Sequence, residues 1–317
     1  MTRPLVIAHR GASGYLPEHT LPAKALAAGM GADYLEQDVV LTRDDVPIVL
    51  HDIHLDTVTD VAKRFPERAR QDKRFYAIDL TLDEIRQLEV RERFDHKTGE
   101  AVFRKRFPVG KSRFFLHTLA EEIEFVQGLS HSLGRTIGIY PEIKQPAFHR
   151  AEGKDISRIV LDTLTGYGYA SSESACFVQC FDEPETRRCR HELQSPLRLI
   201  QLLEDRDWKP LLAADRRTDL DAALAGVAGY AQGIGPNISL LVSEFRPDGS
   251  FTATELASAA HHHGLAIHPW TIRRDSLPTG VPSLESLHEI LFRELRVEGA
   301  FSDFPDLTSE WIAEAGR

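Results

Sequence analysis

Two carboxylates, Glu36 and Asp38, stand two residues apart inside the apolar run 34–41. A strand points residues i and i+2 to one face, so both acids would project the same way. Side-by-side anions repel unless something neutralises them. A hard divalent cation does so with oxygen ligands, and Glu142, from another apolar run, would supply a third. The plainer alternative is that these acids are surface groups or pair with Arg10 and Lys144. His9 and His51 each close a short apolar run. Singly, either could be a hydrogen-bonded core histidine; together they offer two groups that titrate near neutrality, as acid–base attack on a phosphodiester requires. Arg10 adds a planar bidentate donor for a phosphoryl oxygen, and Gly11 lets backbone approach closely. Asp52 either orients a neighbouring histidine or caps the turn that follows.

Groups of this kind need elements that end at one place. Short apolar, β-branched runs at 5–9, 34–41, 47–50, 136–142, 175–180, 197–202, 229–234, 265–269 and 299–302 alternate with helical stretches at 21–30, 119–130, 156–167, 183–192, 220–227, 254–263 and 284–295. The alternation predicts an α/β fold with a parallel sheet covered by helices. Nine runs for eight places predict a (β/α)8 TIM barrel in which one run is not a strand or belongs to a decoration. In a barrel, functional side chains gather at the C-terminal strand ends. The first four runs end in His9-Arg10-Gly11, Glu36-Gln37-Asp38, His51-Asp52 and Glu142-Ile143-Lys144. The tight connection 43–46 makes the second and third runs a candidate hairpin. Residues 53–117 break the rhythm, although Thr81-Leu82-Asp83-Glu84 reads as a capped helix start. They are expected to form an insertion at the barrel mouth after the third strand, within a single domain spanning 1–317. Gly31 and Gly264 fit helix C-caps, and His261-His262-His263 reads as a dipole-favoured helix end rather than a metal site.

Composition excludes several classes. Hydrophobic residues at 42% and charged residues at 27% are globular values. A net charge of −10 argues against a nucleic-acid surface. Residues 61–115 nevertheless hold 15 Lys/Arg against 9 Asp/Glu, a net of +6 that leaves −16 elsewhere, a distribution suited to steering an anionic substrate. No apolar run has the length of a transmembrane segment, and the chain enters its first strand run at Leu5 without a signal-peptide core. A cytoplasmic location is expected if the chain is complete, and a periplasmic one if a leader was removed. Three clustered cysteines, Cys176, Cys180 and Cys189, read as buried thiols rather than a disulfide framework. A homo-oligomer is compatible with this composition.

The motif series Ile7-Ala8-His9-Arg10-Gly11 through Leu16-Pro17-Glu18-His19-Thr20, then Tyr34-Leu35-Glu36-Gln37-Asp38 and Val49-Leu50-His51-Asp52, resembles the glycerophosphodiester phosphodiesterases. Gly138 to Lys144, Val178-Gln179-Cys180-Phe181-Asp182, Gln232 to Pro236, His268-Pro269-Trp270-Thr271 and Phe301-Ser302-Asp303 extend the resemblance over nearly the whole chain, to the bacterial periplasmic-type subgroup. The resemblance implies a (β/α)8 barrel with an inserted segment, a bound divalent metal (calcium foremost, with magnesium or manganese as alternatives), and hydrolysis of glycerophosphodiesters such as glycerophosphocholine or glycerophosphoethanolamine to glycerol 3-phosphate and an alcohol. It implies Glu36, Asp38 and Glu142 as metal ligands, and His9 and His51 as the acid–base pair. Arg10 would serve catalysis and phosphate binding, and Lys144, Gln179, Phe181 and Trp270 would lie at the substrate. Three rivals share part of this logic. A glycosidase would use the acids but leaves the histidines and Arg10 unexplained. A barrel lipase would act on intact lipid headgroups, and a non-catalytic binding protein would lack one of the matched positions.

Overall fold

The computed structural model describes residues 3–316; residues 1, 2 and 317, the ends of the 1–317 span, lie outside the described residues. Eleven strands are present among the described residues: β1 (Leu5–Ala8), β2 (Tyr34–Leu41), β3 (Pro47–Val49), β4 (Gly138–Ile143), β5 (Phe177–Cys180), β6 (Arg198–Leu203), β7 (Gly233–Pro236), β8 (Val242–Phe245), β9 (Phe251–Ala253), β10 (Ala266–Ile267) and β11 (Gly299–Ser302). Eight of them form one parallel sheet in the order β10-β7-β6-β5-β4-β2-β1-β11. Beyond β10, Phe301 N donates to Pro269 O at 3.0 Å and Ile272 N to Phe301 O at 2.8 Å, nearly closing the sheet into a barrel. Helices follow the barrel strands, among them Leu21–Gly29, Leu119–Leu133, Ile156–Gly166, Glu183–His191, Arg217–Ala228, Leu256–His262 and Pro305–Ala315. None of the described helices is long and apolar enough to cross a membrane.

Period-two patterning sorts the side chains. Leu35, Val39 and Leu41 of β2 join the apolar layer under the helices, while Tyr34 points into the barrel with Ile7, Tyr140, Phe177, Ile200 and Phe301. The aromatic plug is tightly packed: Tyr140 stacks on Phe177 at 5.0 Å, and its hydroxyl lies 2.8 Å from His268 Nδ1. A filled barrel floor leaves only the upper end of each strand available for chemistry.

β3 is the decoration among the nine predicted runs. It pairs antiparallel with β2 and lies off the barrel path, so His51 reaches the mouth from a hairpin rather than from a barrel strand. Residues 53–117 build their own apolar cluster on that hairpin, in which Leu55, Val58, Phe75, Leu80, Ile85 and Phe114 pack against Val40, Ile48 and Leu50. The expected helix start is a complete capping box, with Thr81 Oγ1 accepting from Glu84 N and Glu84 Oε2 accepting from Thr81 N. Two expectations shift. The strand read at 229–234 lies at Gly233–Pro236, because Tyr230 and Ala231 are buried in the turn after the Arg217–Ala228 helix. The β8–β9 hairpin was not foreseen; its strands are short, largely exposed and joined through Pro247-Asp248-Gly249. Gly31 and Gly264 do end helices, with φ of +87° and +69°. His261 and His263 pair with Glu298 and Asp221, and all three cysteines are buried free thiols.

Candidate active site

The ten residues that the resemblance assigns to the site, His9, Arg10, Glu36, Asp38, His51, Glu142, Lys144, Gln179, Phe181 and Trp270, line one cavity of about 170 Å³ at the barrel mouth. A larger groove of about 640 Å³ lies elsewhere, between residues 209–217 and the β8–β9 hairpin, and contains no convergent acids or histidines. Chemistry therefore singles out the smaller cavity.

Strand register brings the acids together. Asp38 of β2 lies directly beside Glu142 of β4, and Glu142 beside Gln179 of β5. Lys144 Nζ bridges the first pair, 2.7 Å from Glu142 Oε1 and 3.4 Å from Asp38 Oδ1. Glu36 Oε2 accepts from Arg10 N at 2.7 Å. Arg10 stands in the left-handed region at φ 59°, which turns its guanidinium toward Glu18 (3.1 Å) and leaves Nε 3.5 Å from Asp38 Oδ2 without a hydrogen-bond partner. Gln179 Oε1 is likewise buried without a partner. Trp270 donates its indole N–H to Gly235 O at 2.9 Å and meets Phe181 edge to face at 5.8 Å.

Three carboxylates meeting two shared cations leave the cluster acid-rich. Burial, reinforced by Asp38, pushes Glu142 up to about 8 even against Lys144, and burial with Asp38 also raises Glu36 well above the carboxylate range. Burial alone would raise Asp38 too, but Lys144, His51 and His19 hold it well below its ordinary value. The burden of the crowding thus falls on the two glutamates.

Each histidine has a carboxylate behind it. His9 Nδ1 lies 2.6 Å from Asp303 Oδ1, and His51 Nδ1 lies 2.5 Å from Asp52 Oδ1. With Nδ1–H donating to the acid, each ring turns Nε2 toward the cavity. Burial and the charge of Arg10, with Lys144 also acting on His51, push both rings down to about 4, so both are neutral at pH 7.

Several residues of the site were not assigned from sequence. His19, in the Pro17-Glu18-His19-Thr20 stretch, lies with Nε2 2.7 Å from Asp38 Oδ2. Its ring nitrogen and one oxygen each of Glu36 and Asp38 all fall within 4.8 Å of one another, a grouping that does not include Glu142. Glu18 and Asp303 also sat inside quoted motifs, as the counter-ion of Arg10 and the partner of His9. Arg93 and Arg106 come from the inserted segment, where nothing in the local sequence marks them.

Comparison with known proteins identifies the family. The model of the glycerophosphoryl diester phosphodiesterase family matches residues 9–307. A glycerophosphodiester phosphodiesterase of Haemophilus influenzae is 43% identical, over 97% of this chain and 89% of that protein. One from Treponema pallidum is 37% identical, over 99% and 93%. Among solved structures, a phosphodiesterase of Oleispira antarctica, 19% identical, superposes with a TM-score of 0.63 over 98% of this chain and 97% of its own. A Silicibacter pomeroyi protein at 24% identity reaches 0.70 over 99% and 94%. These two show the shared barrel. The family match across the chain and the near full-length relatives place the protein in the glycerophosphoryl diester phosphodiesterase family.

Proposed function

We propose that this protein hydrolyses glycerophosphodiesters, such as glycerophosphocholine or glycerophosphoethanolamine, to glycerol 3-phosphate and an alcohol, using a divalent metal and acid–base catalysis by His9 and His51. The observation that carries the reading is the pairing of two imidazoles, each backed by a carboxylate, in a cavity that three acids also line. The names of the relatives at 43% and 37% identity support it, as does the Oleispira phosphodiesterase, whose structure contains the product sn-glycerol-3-phosphate.

The donor set fits a hard cation. Glu36, Asp38 and Glu142 offer buried carboxylate oxygens in excess of the cations present, and Gln179, whose side-chain oxygen is buried without a partner, lines the same cavity. Calcium heads the candidates, with magnesium and manganese next. When bound, the metal would polarise the phosphoryl group and neutralise developing charge.

The chain's own groups supply the rest. Arg10, which lines the cavity and keeps its Nε buried and unpartnered, would hold a phosphoryl oxygen together with Lys144. Phe181 and Trp270 would wall the glycerol. One histidine takes, at Nε2, the proton of the nucleophile, either a water that gives glycerol 3-phosphate directly or the substrate's own 2-hydroxyl, which gives a cyclic phosphodiester that water then opens to glycerol 3-phosphate. The other donates to the departing alkoxide; the bound phosphodiester anion favours its imidazolium form, offsetting the downward pull of Arg10. The barrel and residues 53–117 would work as one domain, since residues from both line the mouth.

The test is glycerol 3-phosphate release from glycerophosphocholine and glycerophosphoethanolamine. Wild type should turn over, and His9→Ala or His51→Ala should each lose roughly 100- to 10,000-fold in kcat while folding normally. Near-wild-type rates in either variant would remove the acid–base assignment.

A further inference from the structure

Two arginines of the 53–117 segment reach across to the barrel mouth and touch equivalent atoms. Asp52 gives Oδ1 to His51 and Oδ2 to Arg93 Nη1 at 2.7 Å. Asp303 gives Oδ1 to His9 and Oδ2 to Arg106 Nη2 at 2.7 Å. Each histidine is therefore backed by a carboxylate whose far oxygen is gripped by a guanidinium of the inserted segment. The arginines are themselves fixed. Arg93 forks onto Glu18 at 2.9 and 2.6 Å, and Arg106 forks onto Asp275 at 2.9 and 3.1 Å with its guanidinium 3.7 Å over Phe103. Their side chains are 15% and 4% exposed, so water competes weakly for these charge-assisted bonds.

A carboxylate held through one oxygen can rotate and carry its imidazole with it. A second, charged bond on the other oxygen removes that freedom. We propose that Arg93 and Arg106 are positioning residues, through which the inserted segment aims both histidines by clamping the carboxylates behind them. The inference rests on the acid–base reading of His9 and His51. The two clamps are unequally backed. Asp303 keeps a second guanidinium, Arg273 Nε at 2.8 Å, on the same oxygen, whereas among the described residues Asp52 Oδ2 keeps only the neutral Thr57 hydroxyl at 2.7 Å. Losing Arg93 should therefore disturb its histidine more than losing Arg106.

Steady-state kinetics of the calcium-loaded protein on glycerophosphocholine test this. Arg93→Gln should lower kcat by about 10- to 100-fold with little change in KM, because misaimed groups slow chemistry without weakening binding. Arg106→Gln should lose less, and Arg93→Lys should recover part of the loss. In an Asp52→Asn background, Arg93→Gln should cost less than about twofold more, since its effect passes through Asp52. A tether that merely holds the segment in place would cost the same in both backgrounds, or raise KM at unchanged kcat; either result overturns the proposal. If Arg106→Gln does not fold, Arg106→Lys serves that arm, with a smaller kcat loss than Arg93→Lys expected and an equal or larger one counting against the unequal clamps. Absence of turnover in wild type would defeat the functional reading itself. An active wild type, an inactive His51→Ala and an unimpaired Arg93→Gln would defeat this inference alone.

Discussion

Strand β2 carries a buried ionic cluster on each face, and the two are built differently. Behind the strand, Lys24 and Glu122, both fully buried, pair at 2.9 Å. Glu122 also accepts from Gln37 Nε2 at 2.8 Å and meets His117 Nε2 at 2.6 Å, while Lys24 donates to Glu36 O. One cation meets one anion, and Glu122 is held down at about 2, the pull of Lys24 and His117 outweighing burial. In front, Glu142 is also buried yet pushed up to about 8. The same side-chain type, similarly buried, shifts in opposite directions because one cluster is balanced and the other holds more anions than cations. A balanced cluster locks a fold; an unbalanced one has room for a charged ligand.

Substitution on the two faces should separate these roles. Glu142→Gln should reduce turnover by about 100-fold or more while leaving the metal-free protein about as stable as wild type, since the amide replaces a carboxyl that burial already holds largely protonated near neutral pH. Urea unfolding beside the turnover assay reads both. Lys24→Met should do the reverse, costing about 3–5 kcal/mol by stranding a buried carboxylate while the folded fraction keeps activity within about tenfold. If the two variants lose stability equally, the distinction between the faces fails. A third buried site sharpens it on a smaller scale. His288 packs against Phe292 and Trp311 and is pushed down to about 4 by burial, whereas an unfolded histidine titrates near 6.5. Its folded pKa is depressed, so the unfolded chain binds the proton first and stability falls as pH drops from about 6.5 toward 4. Between pH 7 and 5.5 the loss from this group is about 1 kcal/mol, and His288→Phe should remove that share of the pH dependence in urea midpoints.

Much of this was legible in the sequence because strand ends are local. Glu36-Gln37-Asp38 shows its two faces by period alone, and the apolar runs that end in His9 and Glu142 place those groups at one end of a barrel. What stayed hidden depends on pairing over long separations. Asp303 meets His9 across 294 residues and Arg106 meets Asp303 across 197, so no local pattern joins them. His19 was in view but unassigned, because its role comes from a turn at φ 58° that swings the ring under Asp38. β3 was half legible: the tight 43–46 connection marks its hairpin with β2, but only the sheet order shows which of the nine runs stands outside the barrel.

The central claim is that the acid-rich face of β2 holds a metal that the reaction requires. The most direct measurement is glycerol 3-phosphate release from glycerophosphocholine by chelator-treated protein, before and after divalent metal is restored. The account predicts that turnover disappears on chelation and returns with calcium, magnesium or manganese. Undiminished turnover in the chelator would contradict it.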